Sequence, residues 1–350
     1  MPKRPDETFP LPSPEAPADI VLDLLGGMVR RRPLSGEEAL KREAELGEAA
    51  RAGDAAAQAH LARIVLAREP NAEGNRRAVR LLRRSAQKKH PDGLYLLGLL
   101  ALRGQGMKRN PALGRSLLEE AAYRNHREAQ SALARALELG AGGPKDPKRA
   151  LYWRRLAASL GSSADALEAG RAYRDGRGTS ENMQEARRWL TRAAKAGNGE
   201  AQYEAALLLR RRLTGDEAAA ESQRWMKEAA LSGIPDAQFR TGLAAWSGEG
   251  GRVNLGEALR WLKRAAVGGS ARAALMIAGF FLTGNALPLD RPRAYAALRA
   301  AERLGDPEAR RTADAVRSGL DPEEAREIER RVGTEPLGDF FSELLSPWIR

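Results

Sequence analysis

At 350 residues the chain holds 58 Lys and Arg against 46 Asp and Glu, a formal charge of +12, and no cysteine. This excludes a disulfide framework, a thiolate nucleophile and a zinc knuckle, and no stretch approaches the roughly 18 uninterrupted apolar residues of a membrane span. The positive balance favours acidic partners or anionic surfaces through encounter rate, while abundant Ala, Leu, Arg and Glu favour helix over strand.

Residues 1–17 carry Pro2, Pro5, Pro10, Pro12, Pro14 and Pro17, the composition of an unfolded tail. Residues 18–53 predict an N-terminal helical cap. Within them Ile20-Val21-Leu22-Asp23-Leu24-Leu25 is an apolar run trailed by Arg30-Arg31-Arg32. As a cap it covers the open face of the first repeat. The alternative is an amphipathic anchor over residues 18–32, which makes the protein a peripheral membrane-associated assembly factor.

From Asp54 the sequence repeats. Gly53, Gly161, Gly197, Gly233, Gly269 and Gly305 share one 36-residue grid, with Lys89 and Asn125 in the remaining slots. Trp153, Trp189, Trp225 and Trp261 keep the interval. So do paired alanines such as Ala121-Ala122 and Ala229-Ala230, and a second glycine column at Gly104, Gly140, Gly176, Gly248 and Gly284. The grid predicts seven helical hairpins over 54–89, 90–125, 126–161, 162–197, 198–233, 234–269 and 270–305.

In the unit from Ser162, helix A runs from about Ala164 to Asp175, Gly176-Arg177-Gly178 breaks it, and helix B runs from about Met183 to Ala196. Each closing Gly stands where a helix C-terminus favours a left-handed residue, which Asn tolerates second best. Asp54, Ser162, Asn198, Ser270 and Asp306 suit the N-cap of helix A; Asn110, Asp146, Asn182, Asn254 and Asp290 suit that of helix B. On helix B, Ala186, Trp189, Leu190, Ala193 and Ala194 have helical spacing, and no unit buries this face alone.

After the last hairpin, residues 306–332 predict capping helices, the second charged and starting near Pro322. Residues 333–350 form an apolar tail. Its Phe340, Phe341, Leu344, Leu345 and Trp348 either pack on the last repeat or serve as a peptide that another protein recognises.

The segment Ala169-Gly170-Arg171-Ala172-Tyr173-Arg174-Asp175-Gly176-Arg177-Gly178, followed by Ala186, Trp189, Ala193-Ala194 and Gly197, resembles the Sel-1-like repeat family, a branch of the tetratricopeptide-repeat superfamily. Leu97-Gly98 to Gly106 and Thr241-Gly242 to Gly250 match its first half, and the resemblance spans about residues 54–316. It implies an all-α fold, a right-handed α-solenoid of helix-turn-helix repeats used for protein–protein interaction. Two units depart from the pattern. The one from Asn198 has Arg212 and Thr214 for the loop glycines and rebuilds its connection around Thr214-Gly215-Asp216; the one from Asp54 lacks the loop glycines and the Trp.

No phosphate-binding loop, metalloprotease motif or nucleophile elbow occurs. His90 and His126 share a repeat position, on the order of 10 Å apart in a solenoid, too far to share a metal. They read as exposed turn residues. The expectation is a non-enzymatic scaffold or adaptor without metal or cofactor, cytoplasmic by default and bacterial by composition. The resemblance implies a concave side lined by helix A. There the candidates for a protein partner are Arg63, Arg135 and Arg171; Glu168, Glu204 and Arg240; and Arg174, Arg210 and Trp246.

The second reading is a nucleic-acid or anionic-surface binder. On helix B, Arg80, Arg188, Arg224 and Arg260 form one column and Arg83, Arg155, Lys227, Lys263 and Arg299 another, three residues on. Residues so spaced share a helix face, predicting a basic stripe along the outer helices. Ser116, Glu119 and Thr191 interrupt it, and no aromatic residue is expected to interleave it to stack bases, which favours a solvated arginine-rich helix face over a binding track.

Overall fold

The capping and glycine columns mark where each helix begins and ends. A computed structural model describes residues 36–212, 216–249 and 251–349. The expected tail at 1–17, the apolar segment at 18–32 and the rebuilt loop at Thr214 lie outside the described residues. Every regular element among the described residues is a helix, and the chain divides into two compact units, residues 1–182 and 183–350.

The first unit holds α1 (Gly36–Arg51), α2 (Ala55–Arg68), α3 (Ala72–Gln87), α4 (Pro91–Arg103), α5 (Pro111–Tyr123), α6 (Arg127–Leu139), α7 (Pro147–Ser159) and α8 (Ser163–Asp175). The second holds α9 (Met183–Lys195), α10 (Gly199–Arg212), α11 (Asp216–Leu231), α12 (Pro235–Ser247), α13 (Leu255–Val267), α14 (Ala271–Thr283), α15 (Arg291–Arg303), α16 (Pro307–Arg317), α17 (Pro322–Thr334) and α18 (Leu337–Leu345). Within each unit, A helices start 36 residues apart: Ala55, Pro91, Arg127 and Ser163 in the first, Gly199, Pro235, Ala271 and Pro307 in the second.

The side chains of Asp54, Asn198 and Asp306 accept backbone N–H bonds at A-helix starts, at 2.6, 2.9 and 2.9 Å. Asn110, Asp146, Asn254 and Asp290 do the same for B helices at 2.9–3.0 Å. Each bond satisfies an N–H that the helix itself leaves orphaned. At the closing positions Lys89 and Asn125 adopt φ +58°, a conformation that glycine takes without strain. The second loop glycine answers to a different constraint. A Cβ on Gly142 would lie 2.2 Å from the Pro111 carbonyl oxygen, and one on Gly178 2.2 Å from that of Pro147. The A–B loop of one hairpin therefore rests against the first turn of the preceding helix B.

Between hairpins runs a seam of indoles and alanines. Trp153 is buried with Leu118, Ala121 and Ala122 of α5 and with Ala129 and Leu133 of α6. Trp261 meets Ala229, Ala230 and Ala237, the same positions in the second unit. The methyl side chains let helices approach closely, and the indole fills what remains.

A buried glutamine column reinforces the seam. The Nε2 groups of Gln58, Gln130, Gln202 and Gln238 donate to the carbonyls of Ala50, Ala122, Ala194 and Ala230 at 3.0–3.3 Å. Each acceptor lies in the last turn of the preceding helix, where carbonyls lack intrahelical partners.

Candidate interaction surface

In the first unit, polar side chains of successive A helices interlock. Arg63 on α2 pairs with Asp92 on α4 at 3.4 Å, and His126 Nε2 lies 2.8 Å from Asp92 Oδ1. The Ala129 N–H donates to His126 Nδ1 at 3.0 Å, which places the ring proton on Nε2, pointing at Asp92. Tyr95 stacks on the imidazole with ring centroids 4.8 Å apart. His126 thus corrects an expectation. Its side chain is only 9% exposed and acts as the N-cap of α6 rather than as an exposed turn residue. An imidazole nitrogen accepts at an N-cap as a carboxamide oxygen does, and Tyr95 then covers the ring. His90 is half-buried as well, with its Nδ1 unpaired.

The hydrogen bond from His126, joined by the Arg63 charge, holds the Asp92 carboxyl below its ordinary value against the opposing effect of burial. A carboxylate depressed in the folded state stabilises it above the unfolded value and loses that contribution as pH falls. We expect Asp92→Asn to destabilise the protein by about 1–2 kcal/mol near neutral pH. Its stability should fall less than that of the unmutated chain between about pH 5 and pH 3. Denaturant titrations across that range test this; equal acid slopes would remove the role assigned to Asp92.

The other A-helix candidates are scattered over both units, and much of their charge is matched internally. Arg171 pairs with Glu168 at 2.7 Å, Arg174 with Asp175 at 2.7 Å and Arg210 with Glu249 at 3.1 Å. Arg240 donates to Tyr203 Oη at 3.2 Å, Arg135 is exposed on α6, and Glu204 is half-buried on α10. Trp246 is 37% exposed and leans on Phe280, centroids 5.5 Å apart.

On the B helices the basic columns face solvent to different degrees. Arg83, Arg155, Lys227 and Arg260 are exposed, and Lys263 is half-buried. Arg80 pairs with Glu73, Arg188 with Glu185 and Arg299 with Glu302, while Arg224 lies over the Trp225 ring at 5.0 Å from its centroid. Gln184, Arg187, Arg188, Thr191, Arg192, Lys195 and Glu221 line an open depression of about 620 Å³. The expectation that no aromatic residue interleaves the basic columns is corrected at Tyr152, three residues before Arg155 in the column of Arg80. Tyr152 is 56% exposed and Tyr123 67%, and both meet Trp153 edge-on.

The C-terminal motif is assembled into the second unit. Phe340, Phe341, Leu344 and Leu345 of α18 are buried in the cluster that holds Leu259, Leu262 and Phe281. Trp348 packs edge-on against Phe281 at 5.4 Å and lies beneath the Arg293 guanidinium at 5.2 Å. Among the described residues, no group of three or more His, Asp or Glu is placed to hold a metal ion, and no helix is long and apolar enough to cross a membrane.

The Sel1 repeat pattern matches residues 91–126, 127–162, 166–198 and 235–270. A Sel1 repeat protein from Oxalobacter formigenes has a similar structure, with TM-score 0.68 and 26% identity over 92% of this chain and 99% of that one. The chain carries Sel1 repeats. Sel1 repeats are helical modules that typically serve as non-catalytic interaction scaffolds. The hairpins at 55–87, 199–231 and 271–303 fold alike outside the matched stretches. The first and third carry Leu81 and Ala297 at the Trp position, and the second has Arg212 for the first loop glycine.

Two further structures align at lower scores. A protective antigen of uropathogenic Escherichia coli strains with an SLR fold gives TM-score 0.39 and 17% identity over 87% of this chain and 81% of that one. An immunity protein of Pseudomonas aeruginosa gives 0.34 and 19% over 70% and 83%. Neither bears on function at those scores. No curated protein matches the sequence.

Proposed function

We propose that this Sel1-repeat chain is a non-catalytic adaptor that binds a protein partner through its A helices. The observation that carries this is the Arg63–Asp92–His126–Tyr95 chain, which joins α2, α4 and α6. Side chains already fixed by such bonds lose little further freedom on binding. Their mixture of donors, acceptors and an aromatic edge suits a polypeptide better than a uniform polyanion. A photo-crosslinking residue at position 135 should capture one discrete protein in the native host, and the same residue at position 155 on a B helix should not. Capture at 155 alone would overturn the assignment.

A second reading has its own support. Exposed Tyr123 and Tyr152, both against Trp153, with Arg155 one helical turn after Tyr152, offer stacking surfaces and positive charge, the elements of single-strand nucleic-acid binding. Binding of a single-stranded RNA that falls steeply with rising salt and is lost in Tyr152→Ala would favour it.

A further inference from the structure

Tyr152 on α7 stands where other B helices carry Arg80, Arg188, Arg224 and Arg260, yet it is an aromatic ring left 56% exposed. Tyr123, at the end of α5, is 67% exposed. Both rings rest on Trp153, with centroids 5.0 and 5.2 Å from the indole and interplanar angles of 77° and 78°. Trp153 is itself 2% exposed and fixed in the seam, so it holds the two tyrosines in place. Their centroids are then at most about 10 Å apart, close to the roughly 9 Å of one turn of a polyproline II helix. Neither hydroxyl has a hydrogen-bond partner among the described residues.

Polyproline II segments dock on paired aromatic rings because they are already extended. Their carbonyls lack internal partners and accept from ring hydroxyls. A nucleic acid instead asks for a run of cations to neutralise its phosphates. Here Arg149, one turn before Tyr152, is paired with Glu119. Arg155, one turn after it, is exposed and has no carboxylate partner among the described residues. Two fixed rings beside an open Arg155 suit a proline-rich segment carrying an acidic residue better than a polyanion.

The chain carries such a segment at its own start. Pro10, Pro12, Pro14 and Pro17 fall within eight residues, and Glu15 lies among them. At three residues per turn, Leu11, Pro14 and Pro17 share one face, with the two prolines one turn apart. The 18 residues between Pro17 and Gly36, where α1 begins, span up to about 60 Å when extended. The third hairpin, which holds α7, stands on the order of 30 Å from α1 in a stacked array, within that reach.

We infer that Tyr123 and Tyr152 form a docking surface for a polyproline II segment, and that its occupant is residues 10–17 of the same chain, with Pro14 and Pro17 against the rings and Glu15 toward Arg155. This goes beyond the adaptor reading and needs nothing of the A helices. It makes the proline-rich start a tethered ligand of the B helices, which any outside ligand of the two tyrosines has to displace.

The test uses the full chain. A photo-crosslinking residue at position 16 should join residues near Tyr123 or Tyr152 within one molecule at high dilution. Tyr152→Arg installs the side chain that other hairpins carry at this position, so its melting temperature should stay unchanged while the crosslink falls at least fivefold. A second measurement leaves every repeat residue untouched. A fluorescein-labelled peptide of residues 8–19, followed by anisotropy, should bind the Pro14→Ala/Pro17→Ala chain about tenfold more tightly than the unmutated chain, where the tethered segment competes at an effective concentration on the order of millimolar. Equal peptide affinity for these two chains would overturn the inference. So would a crosslink that persists in Tyr152→Arg or that joins two molecules. A single-stranded RNA that binds the unmutated and the Pro14→Ala/Pro17→Ala chains equally well through Tyr152 would also overturn it, because the rings would then be uncovered.

Discussion

Trp261→Ala lowers stability by about 3–5 kcal/mol, the range for truncating a buried tryptophan. The indole lies between Ala229 and Ala230 at the end of α11 and Ala237 on α12, small side chains that cannot move in to fill the space. Its Nε1–H donates to Glu257 one turn earlier at 3.4 Å, and Arg264 lies over the ring at 4.9 Å from its centroid. The same pair of supports recurs in register at Trp189, with Glu185 and Arg192. In a nearest-neighbour array the loss falls on one interface. Hydrogen exchange should therefore rise first in α11, α12 and α13, while α4 to α6 keep their protection. Trp246→Ala makes the comparison, because that ring is 37% exposed against 6% for Trp261 and loses less covered surface. It should cost less, about 1–2 kcal/mol. Equal losses in the two variants, or a uniform rise in exchange, would sink the interface role of the indole column.

The parts legible in the sequence are those that depend on one residue type recurring at one position. The capping Asn and Asp residues, the left-handed closing positions and the Trp and Ala seam satisfy that condition, because each answers a local backbone or packing demand repeated in every hairpin. The polar contacts between hairpins do not. Arg63 meets Asp92 across 29 residues, Asp92 meets His126 across 34, and Ser232 meets Gln202 across 30. Such offsets arise from how stacked helices slide past one another, so a 36-residue grid passes over them. The glutamine column escaped for a related reason. Leu94, Ala166 and Ala274 occupy its other slots, and only the folded chain shows that Gln58, Gln130, Gln202 and Gln238 do one job. Tyr152 stands in a column whose recurring residue is arginine, so the pattern points to charge and passes over its ring. For the tail, apolar spacing shows that α18 has a face to bury, but the identity of the covering surface, Leu259 and Leu262 of α13 among it, is a tertiary fact.

Arg154→Ala should be the other severe substitution. Asp165 on α8 is 1% exposed and carries its charge into the interior of the first unit. Arg154 on α7 reaches it at 2.7 Å and spreads the rest of its fork over Glu138 on α6, at 3.2 and 2.9 Å. Burial works against the Arg154 charge, yet the two carboxylates together hold its pKa above the ordinary arginine value. The hydroxyls of Ser131 and Ser162 also donate to Asp165. Removing the guanidinium leaves a buried carboxylate supported by those two hydroxyls, which costs about 3–5 kcal/mol. Asp165→Asn should cost less, about 1–2 kcal/mol, because Arg154 then keeps Glu138 and the amide still accepts from the serines. The Arg154→Ala/Asp165→Asn double variant should be less destabilised than the sum of the singles, since the unmatched charge is gone. A double-mutant cycle from denaturant titrations near pH 7 gives the coupling directly. Additive losses would mean that the two charges act independently and that α7 and α8 are held by their apolar faces alone.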